Sequence, residues 1–447
     1  MSLIYKSLPY INPQKIFNIV ANDNATIFLD SSLEHSYYGR YSFIGIDPVL
    51  TLTPKSDVSL KDQLQEFEAL KSDTQDTNLP PFTGGLIGYL SYDYAEQLEP
   101  IVADQIQHQL QVPNYWFGLY NQVFAFDNIE KICYLFVTEI SNSNSEQLLT
   151  KLHAIYDKAI NAPATKITRP QGITLHSNFT KEEYANVVRQ TIEYIKAGDI
   201  FEANIAQCFS GKLNESHKAH ELYNYLQFKN PAPFAAYFNL NKLHILSASP
   251  ERFIKISGNN VEVRPIKGTI RRDNDIQTDN LLAQTLQLSS KDRAENIMIV
   301  DLMRNDLSKI CTPQSIMVSQ LCGLESFTNL HHLVSVINGE LKPKITTFEI
   351  IKALFPAGSI SGAPKIRAEQ IINQLEQGTK RGVSYGNIGY FGFNGNTDLS
   401  VAIRTITINN DNLSFHVGGA VTLHSDPYGE YTETMLKGQK LMESLGL

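Results

Sequence analysis

The sequence predicts an α+β fold. Strand-like segments occur in neighbouring hairpins, and helical segments lie between them without the regular alternation of parallel βαβ units. The chain has 447 residues, of which 42% are hydrophobic, so it is long enough to bury a large core. This length allows two or three domains, or one large interwoven domain.

The first part of the chain is predicted to be antiparallel sheet followed by a helix. Residues 122–126 and 132–137 have the β-rich pattern of paired strands, and Asp127-Asn128 between them is typical of a hairpin turn. A helical stretch opens at Asn142 to Asn144 and runs to about Ile160.

A linker is predicted at residues 161–177, which contain two prolines and no sustained periodicity. We therefore place the boundary between two regions of the chain in this segment. The N-terminal region spans residues 1–165, and the second domain spans residues 178–445.

The second domain is predicted to open with a helix. Thr180 and Glu183 have the spacing of a capping box, and Gly198 marks the C-terminal end. One apolar stripe on this helix is expected to pack on a sheet; it consists of Tyr184, Val188, Ile192 and Ile195. Near the end of the chain, residues 399–408 and 413–421 are predicted strands separated by a turn at 409–412.

Charge and cysteine content exclude several classes of partner. The formal net charge is −8 and there is no Lys/Arg cluster, which argues against nucleic acid or an anionic membrane. No segment has the roughly 20 consecutive apolar residues of a transmembrane helix, and the N-terminus lacks a signal-peptide core. Four cysteines without metal-type spacing indicate a reducing compartment, so we expect a cytoplasmic protein.

Lys267 is the first candidate for chemistry. It lies between Ile266 and Gly268 in a strand-like segment, where partial desolvation would lower its pKa and leave some of the amine neutral and nucleophilic. The alternative is a surface lysine at the end of a strand.

Two acidic pairs are candidates for a metal site. Asp292 and Glu295 are three residues apart in a helical pattern, and Glu430 and Glu433 repeat this spacing after Asp426-Pro427, which is typical of a helix start. Oxygen ligands without a nearby histidine or cysteine suit Mg²⁺. The alternative is two solvated acidic helix faces.

Arg404 is a candidate for binding a carboxylate. It lies among Ala402, Ile403 and Ile406 in a predicted strand, where an unpaired guanidinium would be costly and a bidentate anion would stabilise it. A structural ion pair is the alternative. The loop at residues 358–365 does not match a phosphate-binding loop, because alanine stands at position 363.

These candidates lie in a set of ordered motifs that resembles the chorismate-utilising enzymes. The resemblance covers residues 178 to 445. The motifs are Gly198-Asp199-Ile200-Phe201-Glu202-Ala203-Asn204, Ser249-Pro250-Glu251-Arg252-Phe253, Asp292-Arg293-Ala294-Glu295-Asn296, His332-Leu333-Val334-Ser335, Phe355 to Lys365, and Glu430-Tyr431-Thr432-Glu433-Thr434.

The resemblance implies a fold and a reaction. The fold would be two antiparallel sheets packed as a sandwich with helices outside. Lysine at position 267 marks the aminodeoxychorismate synthase component I branch, which aminates chorismate for p-aminobenzoate and folate biosynthesis; anthranilate synthase component I, the alternative, usually has alanine there. Glu251 would protonate the leaving C4 hydroxyl, and Lys267 would add at C2. Isochorismate synthases need a lysine at the position of Glu202, which this chain lacks.

The resemblance also implies ligands. Glu295 and Glu433 would bind Mg²⁺ directly, and Asp292 and Glu430 would act through water. The implied substrate contacts are Arg404, Tyr390, Thr269, Gly268, Gly418, Gly419, His332, Ser361 and Lys365. The loop after Gly419 departs from the family pattern, with Ala420 in place of a glycine and His424 in place of an aspartate.

Ammonia is expected to come from another protein or from solution, because no Gly-x-Cys-x-Gly glutaminase motif occurs in the sequence. A separate glutamine amidotransferase subunit is therefore the expected partner, in a heteromeric complex. Residues 28–32 and 40–45 resemble the part that forms the tryptophan pocket of anthranilate synthases, and binding of an effector is left open. A catalytically silent binding subunit is the rival from a different class.

Overall fold

Two large antiparallel sheets form the centre of the protein. The computed structural model describes residues 2–33, 38–72, 77–100, 110–140, 144–214, 217–326, 330–376 and 378–447. The strands are β1 Leu3–Pro9, β2 Thr26–Asp30, β3 Tyr41–Gly45, β4 Leu50–Leu52, β5 Gly85–Leu90, β6 Tyr115–Tyr120, β7 Gln122–Asp127, β8 Ile132–Thr138, β9 Thr174–Ser177, β10 Glu202–Lys212, β11 Phe234–Leu240, β12 Leu243–Ser249, β13 Arg252–Ser257, β14 Asn260–Val263, β15 Ile266–Arg271, β16 Met317–Ser326, β17 Leu330–Glu340, β18 Gly362–Ala363, β19 Asn387–Gly392, β20 Thr397–Val401, β21 Thr405–Asn409 and β22 Asn412–Val421.

Helices cover the outer faces of these sheets. They are α1 Pro13–Val20, α2 Leu60–Leu70, α3 Ala95–Leu98, α4 Ser145–Ile160, α5 Lys181–Lys196, α6 Ala219–Lys229, α7 Ile276–Leu288, α8 Ser290–Ile310, α9 Thr347–Leu354, α10 Lys365–Leu375 and α11 Pro427–Ser444. None of the described helices combines the length and the apolar run that crossing a bilayer requires.

Both sheets take strands from both halves of the chain. The first has the order β1-β8-β7-β3-β2-β11-β12-β21-β22-β10-β18, with β9 paired to β10. The second has the order β15-β17-β14-β13-β20-β19-β5-β6-β4, with β16 paired to β17. Residues 1–165 and 178–445 therefore share the two sheets, because β2 pairs with β11 and β5 pairs with β19.

The two sheets pack face to face through an apolar layer. Ile27 and Val123 of the first sheet lie in one buried cluster with Ile87, Tyr89 and Ile388 of the second. Helices α1, α4, α6 and α11 pack on the outer face of the first sheet, and α2, α8 and α9 pack on the second. The predicted α+β sandwich with helices outside is confirmed.

Local patterns predicted most elements well. Strands β7 and β8 pair as the predicted hairpin. Helix α5 has the Thr180–Glu183 capping box, and Asn144 caps α4, while Asn142 lies outside the described residues. The linker prediction for residues 161–177 needs one correction, because its last four residues form β9, which adds to the edge of β10.

The predicted strand at residues 399–408 is wrong in one respect: it is two strands in two sheets. Strand β20 belongs to the second sheet and β21 to the first, and the chain crosses between them at Ala402 to Arg404. Arg404 has φ 51°, in the left-handed region, which breaks the extended backbone. Apolar alternation continues through this break and conceals it.

Candidate active site

Two crossings between the sheets lie side by side and carry two of the predicted residues. Glu251 lies between β12 of the first sheet and β13 of the second, and Arg404 lies between β20 and β21. The Val401 amide donates to the Glu251 carbonyl at 3.0 Å, and the Ala248 amide donates to the Arg404 carbonyl at 3.0 Å. The sandwich thus brings residues 153 positions apart to the same edge.

Lys267 points into the protein because β15 contains a bulge. Between Ile266 and Thr269, β15 advances three residues while β17 advances two. Gly268 in this bulge has φ 80°, and a Cβ there would lie 2.9 Å from Asp292 Cβ, so a larger residue would collide with α8. The Lys267 side chain is 8% exposed.

The partner of Lys267 is a residue that sequence reasoning gave no chemical role. Lys267 Nζ donates to Glu202 Oε1 at 3.0 Å, and Glu202 at the start of β10 is 1% exposed. Burial alone would lower the pKa of Lys267, but the charges of Glu202, Glu295 and Glu251 outweigh burial and raise it. The prediction that part of this amine is neutral is therefore wrong for this arrangement of charges.

Glu251 has the environment of a general acid. Burial raises its pKa to about 7, against the opposing effects of the Ser359 hydrogen bond and of the charges on Lys267 and Lys437. Its Oε1 accepts a hydrogen bond of 2.7 Å from Ser359 Oγ. Such a carboxyl retains its proton into the neutral range, where it can protonate a leaving oxygen.

The two predicted acidic helix faces are α8 and α11. Burial raises the pKa of Glu295 to about 7. Burial also raises the pKa of Glu430, and the charge of nearby Glu433 acts in the same direction. Glu430 Oε1 accepts a hydrogen bond of 2.6 Å from Ser425. Burial would raise the pKa of Glu433 as well, but Lys437, at 2.7 Å, lowers it.

These carboxylates fit Mg²⁺ in donor chemistry. Glu295 Oε1 is buried and has no hydrogen-bond partner among the described residues. Gly419 lies beside α11, where a Cβ would be 3.0 Å from Glu430 Oε2 and 3.7 Å from Glu433 Oε1. No three acidic, histidine or cysteine residues in the described ranges form a ready metal cage. Mg²⁺ keeps several waters and takes only one or two protein carboxylates.

Arg404 and His332 add polar groups to the same region. The Arg404 guanidinium forms no ion pair with any acid in the part of the chain that the structure describes. His332 Nδ1 lies 2.7 Å from Thr269 Oγ1. Burial, with the charge on Arg404, lowers the pKa of His332 to about 4, so the ring is neutral. A cation without an acidic partner favours binding of an anion here.

Two predicted substrate contacts have internal partners instead. Lys365 Nζ donates to Asp306 Oδ2 at 2.6 Å and to the Leu354 carbonyl at 2.9 Å. Ser361 is fully buried, and its hydroxyl donates to the Ala357 carbonyl at 3.0 Å. Both side chains stabilise the loop between α9 and α10, and their positions argue against direct substrate contact.

Gly418 forms part of the wall beside α11. Its carbonyl accepts a hydrogen bond of 3.1 Å from Lys437 Nζ, and in the ladder it pairs with Ala206 of β10. A Cβ on Gly418 would lie 2.3 Å from the Ile205 carbonyl, so no larger residue fits. Gly418 thus lets β10 and β22 approach closely.

Tyr390 lines a different cavity, of about 450 Å³. Its ring packs against Phe43 and Phe82, with ring centroids 5.6 and 4.6 Å away. Both N-terminal segments singled out in the sequence contribute to this cavity, through Asp30 and Arg40 among others. Its position argues against the predicted contact between Tyr390 and the substrate held beside Lys267.

Sequence reasoning missed the groups that hold the site together. Ser359 and Lys437 lie within the motifs or next to them, but only their contacts with Glu251 and Glu433 distinguish them. Arg381 is buried between the rings of Tyr92 and Tyr385, with its guanidinium carbon 4.5 and 4.6 Å from their centroids.

Comparison with known proteins gives the following matches. A family model described as chorismate binding enzyme matches residues 25–443. Aminodeoxychorismate synthase component 1 of Salmonella typhimurium is 34% identical over 91% of this chain and 90% of its own length. Anthranilate synthase component 1 of Saccharomyces cerevisiae is 33% identical over 96% and 88%. The crystal structure of anthranilate synthase component I from Streptococcus pneumoniae has a TM-score of 0.80 at 28% identity, covering 91% of this chain and 93% of that one.

Proposed function

Because the chain belongs to the chorismate-binding enzyme family, we propose that it is component I of an aminodeoxychorismate synthase. This subunit would convert chorismate and ammonia to 4-amino-4-deoxychorismate, a precursor of p-aminobenzoate and folate. Membership of this family makes the chain an enzyme that acts on chorismate.

The buried amine of Lys267 is the observation that carries this proposal. It lies in the run Pro265 to Thr269, where an anthranilate synthase usually has alanine. Its contact with Glu202, at 3.0 Å, and the charge it exerts on Glu251 support the proposal that Glu202 accepts a proton from it and that Glu251 donates one to the substrate. A lysine is costly to bury, and a role as nucleophile explains its presence.

The proposed reaction starts with a proton transfer from Lys267 to Glu202. The neutral amine then adds to C2 of chorismate, both ring double bonds shift, and the C4–O bond breaks. Glu251 donates a proton to the hydroxyl, which leaves as water. Ammonia next forms a bond to C4, the double bonds shift back, and the C2–N bond to Lys267 breaks. Glu202 returns its proton to the freed amine, and Glu251 is reprotonated from solvent.

Binding of the two carboxylates of chorismate needs two sources of positive charge. Arg404 can form a bidentate contact with one of them, beside the neutral His332. Glu295 and Glu433, with Asp292 and Glu430 acting through water, would hold Mg²⁺ near the other. The bound ion would neutralise that carboxylate and draw electron density toward it.

We further propose that a separate glutamine amidotransferase subunit supplies the ammonia. Glutaminases of this kind need a reactive cysteine, and all four cysteines of this chain are free but buried. Burial raises the pKa of Cys133 and Cys208 to about 12, so neither thiol is activated.

Anthranilate synthase component I is the second candidate, because relatives of both names match this chain at nearly the same identity. The test is incubation of the purified chain with chorismate, ammonium and Mg²⁺, with products identified by mass and fluorescence. Formation of 4-amino-4-deoxychorismate supports the proposal. Release of pyruvate with fluorescent anthranilate overturns it.

Variants separate the role of the lysine from that of the pocket. Lys267→Ala is expected to lose at least about 100-fold in kcat. Lys196→Ala, which removes an exposed lysine from α5, is the matched control and should retain full activity. Full activity in Lys267→Ala would rule out the covalent step.

A further inference from the structure

The proton donor Glu251 is held by a serine for which the proposed steps have no use. Ser359 lies in a short 3-10 turn at Gly358–Ile360, between α9 and α10. Its Oγ donates to Glu251 Oε1 at 2.7 Å. The hydroxyl therefore contacts one oxygen of the carboxyl group and leaves Oε2 for other partners.

The turn that carries Ser359 is braced on both sides. The Ile360 carbonyl accepts from the Arg381 guanidinium at 3.1 Å, and the Ser361 hydroxyl donates to the Ala357 carbonyl at 3.0 Å. A Cβ on Gly358 would lie 2.7 Å from side-chain atoms of α8, so the turn packs tightly there. The position of the Ser359 hydroxyl is therefore set by the fold.

Glu251 is also fixed through its backbone. Its backbone amide donates a hydrogen bond to Ser249 Oγ at 3.2 Å, and its carbonyl accepts one from the Val401 amide at 3.0 Å. With both backbone groups held, rotation of the side chain is the freedom that remains. The hydrogen bond from Ser359 restricts that rotation.

We propose that Ser359 is the positioning residue that places the acid proton of Glu251 on Oε2 and aims it at the leaving hydroxyl. A neutral carboxyl has one protonated oxygen and one acceptor oxygen. Because Ser359 donates to Oε1, that oxygen serves as the acceptor and the proton resides on the other. This inference rests on the proposed role of Glu251 as proton donor.

The charged groups that face Glu251 are Lys267 from β15 and Lys437 from α11. Both favour the ionised carboxylate, and the Ser359 hydrogen bond acts in the same direction against burial. Loss of the hydroxyl should therefore keep Glu251 protonated to higher pH while the proton is no longer directed. A lower kcat together with a shift of the alkaline limb of its pH profile distinguishes loss of positioning from simple loss of folded protein.

The experiment compares Ser359→Ala, Ser359→Thr and the exposed control Ser308→Ala in the complete chain, with chorismate, ammonium and Mg²⁺. For Ser359→Ala we expect kcat to fall about 10-fold and KM to change less than about twofold. The alkaline limb of the pH profile of kcat should shift to higher pH by about half a unit or more. Ser359→Thr should restore both values, and Ser308→Ala should match the wild type. An unchanged limb in Ser359→Ala, or no rescue by threonine, overturns the inference.

A second measurement is independent of turnover and of the product. Infrared difference spectra between acid and alkaline pH, assigned with Glu251→Gln, report the C=O stretch of the protonated Glu251 carboxyl. In Ser359→Ala this band should move to higher frequency and persist to higher pH. An identical band in wild type and variant overturns the inference, whereas a wild type that makes a different product overturns only the proposed function.

Discussion

Lys267 Nζ and Glu202 Oε1 are 3.0 Å apart and join the two sheets across the candidate active site. Both side chains are buried, so each charge depends on the other for compensation. The amine must also release its proton before it can act as a nucleophile. Glu202 is the carboxylate that accepts its hydrogen bond.

Replacing Glu202 with glutamine should impair catalysis and also lower stability, because the buried amine of Lys267 loses its acidic partner. Glu202→Gln keeps the shape of the side chain but removes the proton acceptor, so we expect kcat to fall about 100-fold or more. The measurement is the rate of chorismate amination with ammonium at saturating substrate. Glu193→Gln, at an exposed position of α5, is the matched control. Near-normal kcat in Glu202→Gln would mean that another group accepts the proton.

Arg404 should favour substrate binding at a cost in the stability of the substrate-free protein. Replacement by methionine removes a cation that has no acidic partner among the described residues. We expect KM for chorismate to rise about 10-fold or more, while the free energy of unfolding without substrate stays equal or increases by about 1 kcal/mol. Enzyme kinetics and urea unfolding measure the two effects. Loss of stability in this variant, with Arg304→Met at an exposed position of α8 unaffected, would indicate a structural ion pair instead.

The acidic faces of α8 and α11 should control metal affinity. Glu295→Gln neutralises the carboxylate whose Oε1 is buried without a hydrogen-bond partner in the described chain, so Mg²⁺ affinity should fall about 10-fold or more. Calorimetric titration with Mg²⁺ in the presence of chorismate measures this directly. Asp301→Asn changes an exposed carboxylate on the same helix and serves as control. Equal Mg²⁺ affinities of the two variants would show that Glu295 is not a ligand.

Asp30 lines the same cavity as Tyr390 and should make the stability of the protein depend on pH. Burial raises the pKa of Asp30 to about 7, against hydrogen bonds from Ser42 and others. Between about pH 4 and pH 7 the folded state holds a proton that the unfolded state has lost, so this carboxyl's contribution to stability is present at low pH and declines as pH rises through 7.

Asp30→Asn should remove that decline. Urea unfolding at pH 5 and pH 8 should show the variant losing less stability than the wild type between these values, by up to a few kcal/mol. The exposed Asp23→Asn should behave like the wild type. Equal pH dependence in Asp30→Asn and the wild type would show that Asp30 is ionised in the folded protein over this range.

Local sequence patterns determined much of this protein. Capping residues such as Thr180 and Asn144, the hairpin around Asp127, and the spacing of Glu295 and Glu433 depend on neighbours a few positions away, so the sequence shows them directly. Motif resemblance added the sandwich and the chorismate chemistry. The proposal of amination over anthranilate formation rests on one residue, Lys267.

Only the tertiary structure decided which side chains meet and in what charge state. Glu202 lies 65 residues from Lys267 in sequence, and the carboxylates around that amine reverse the pKa change that burial alone would cause. The strand predicted through Arg404 is two strands, because one left-handed residue sends the chain to the other sheet. Electrostatic energies and inter-sheet crossings depend on distances in space, which periodicity along the chain does not encode.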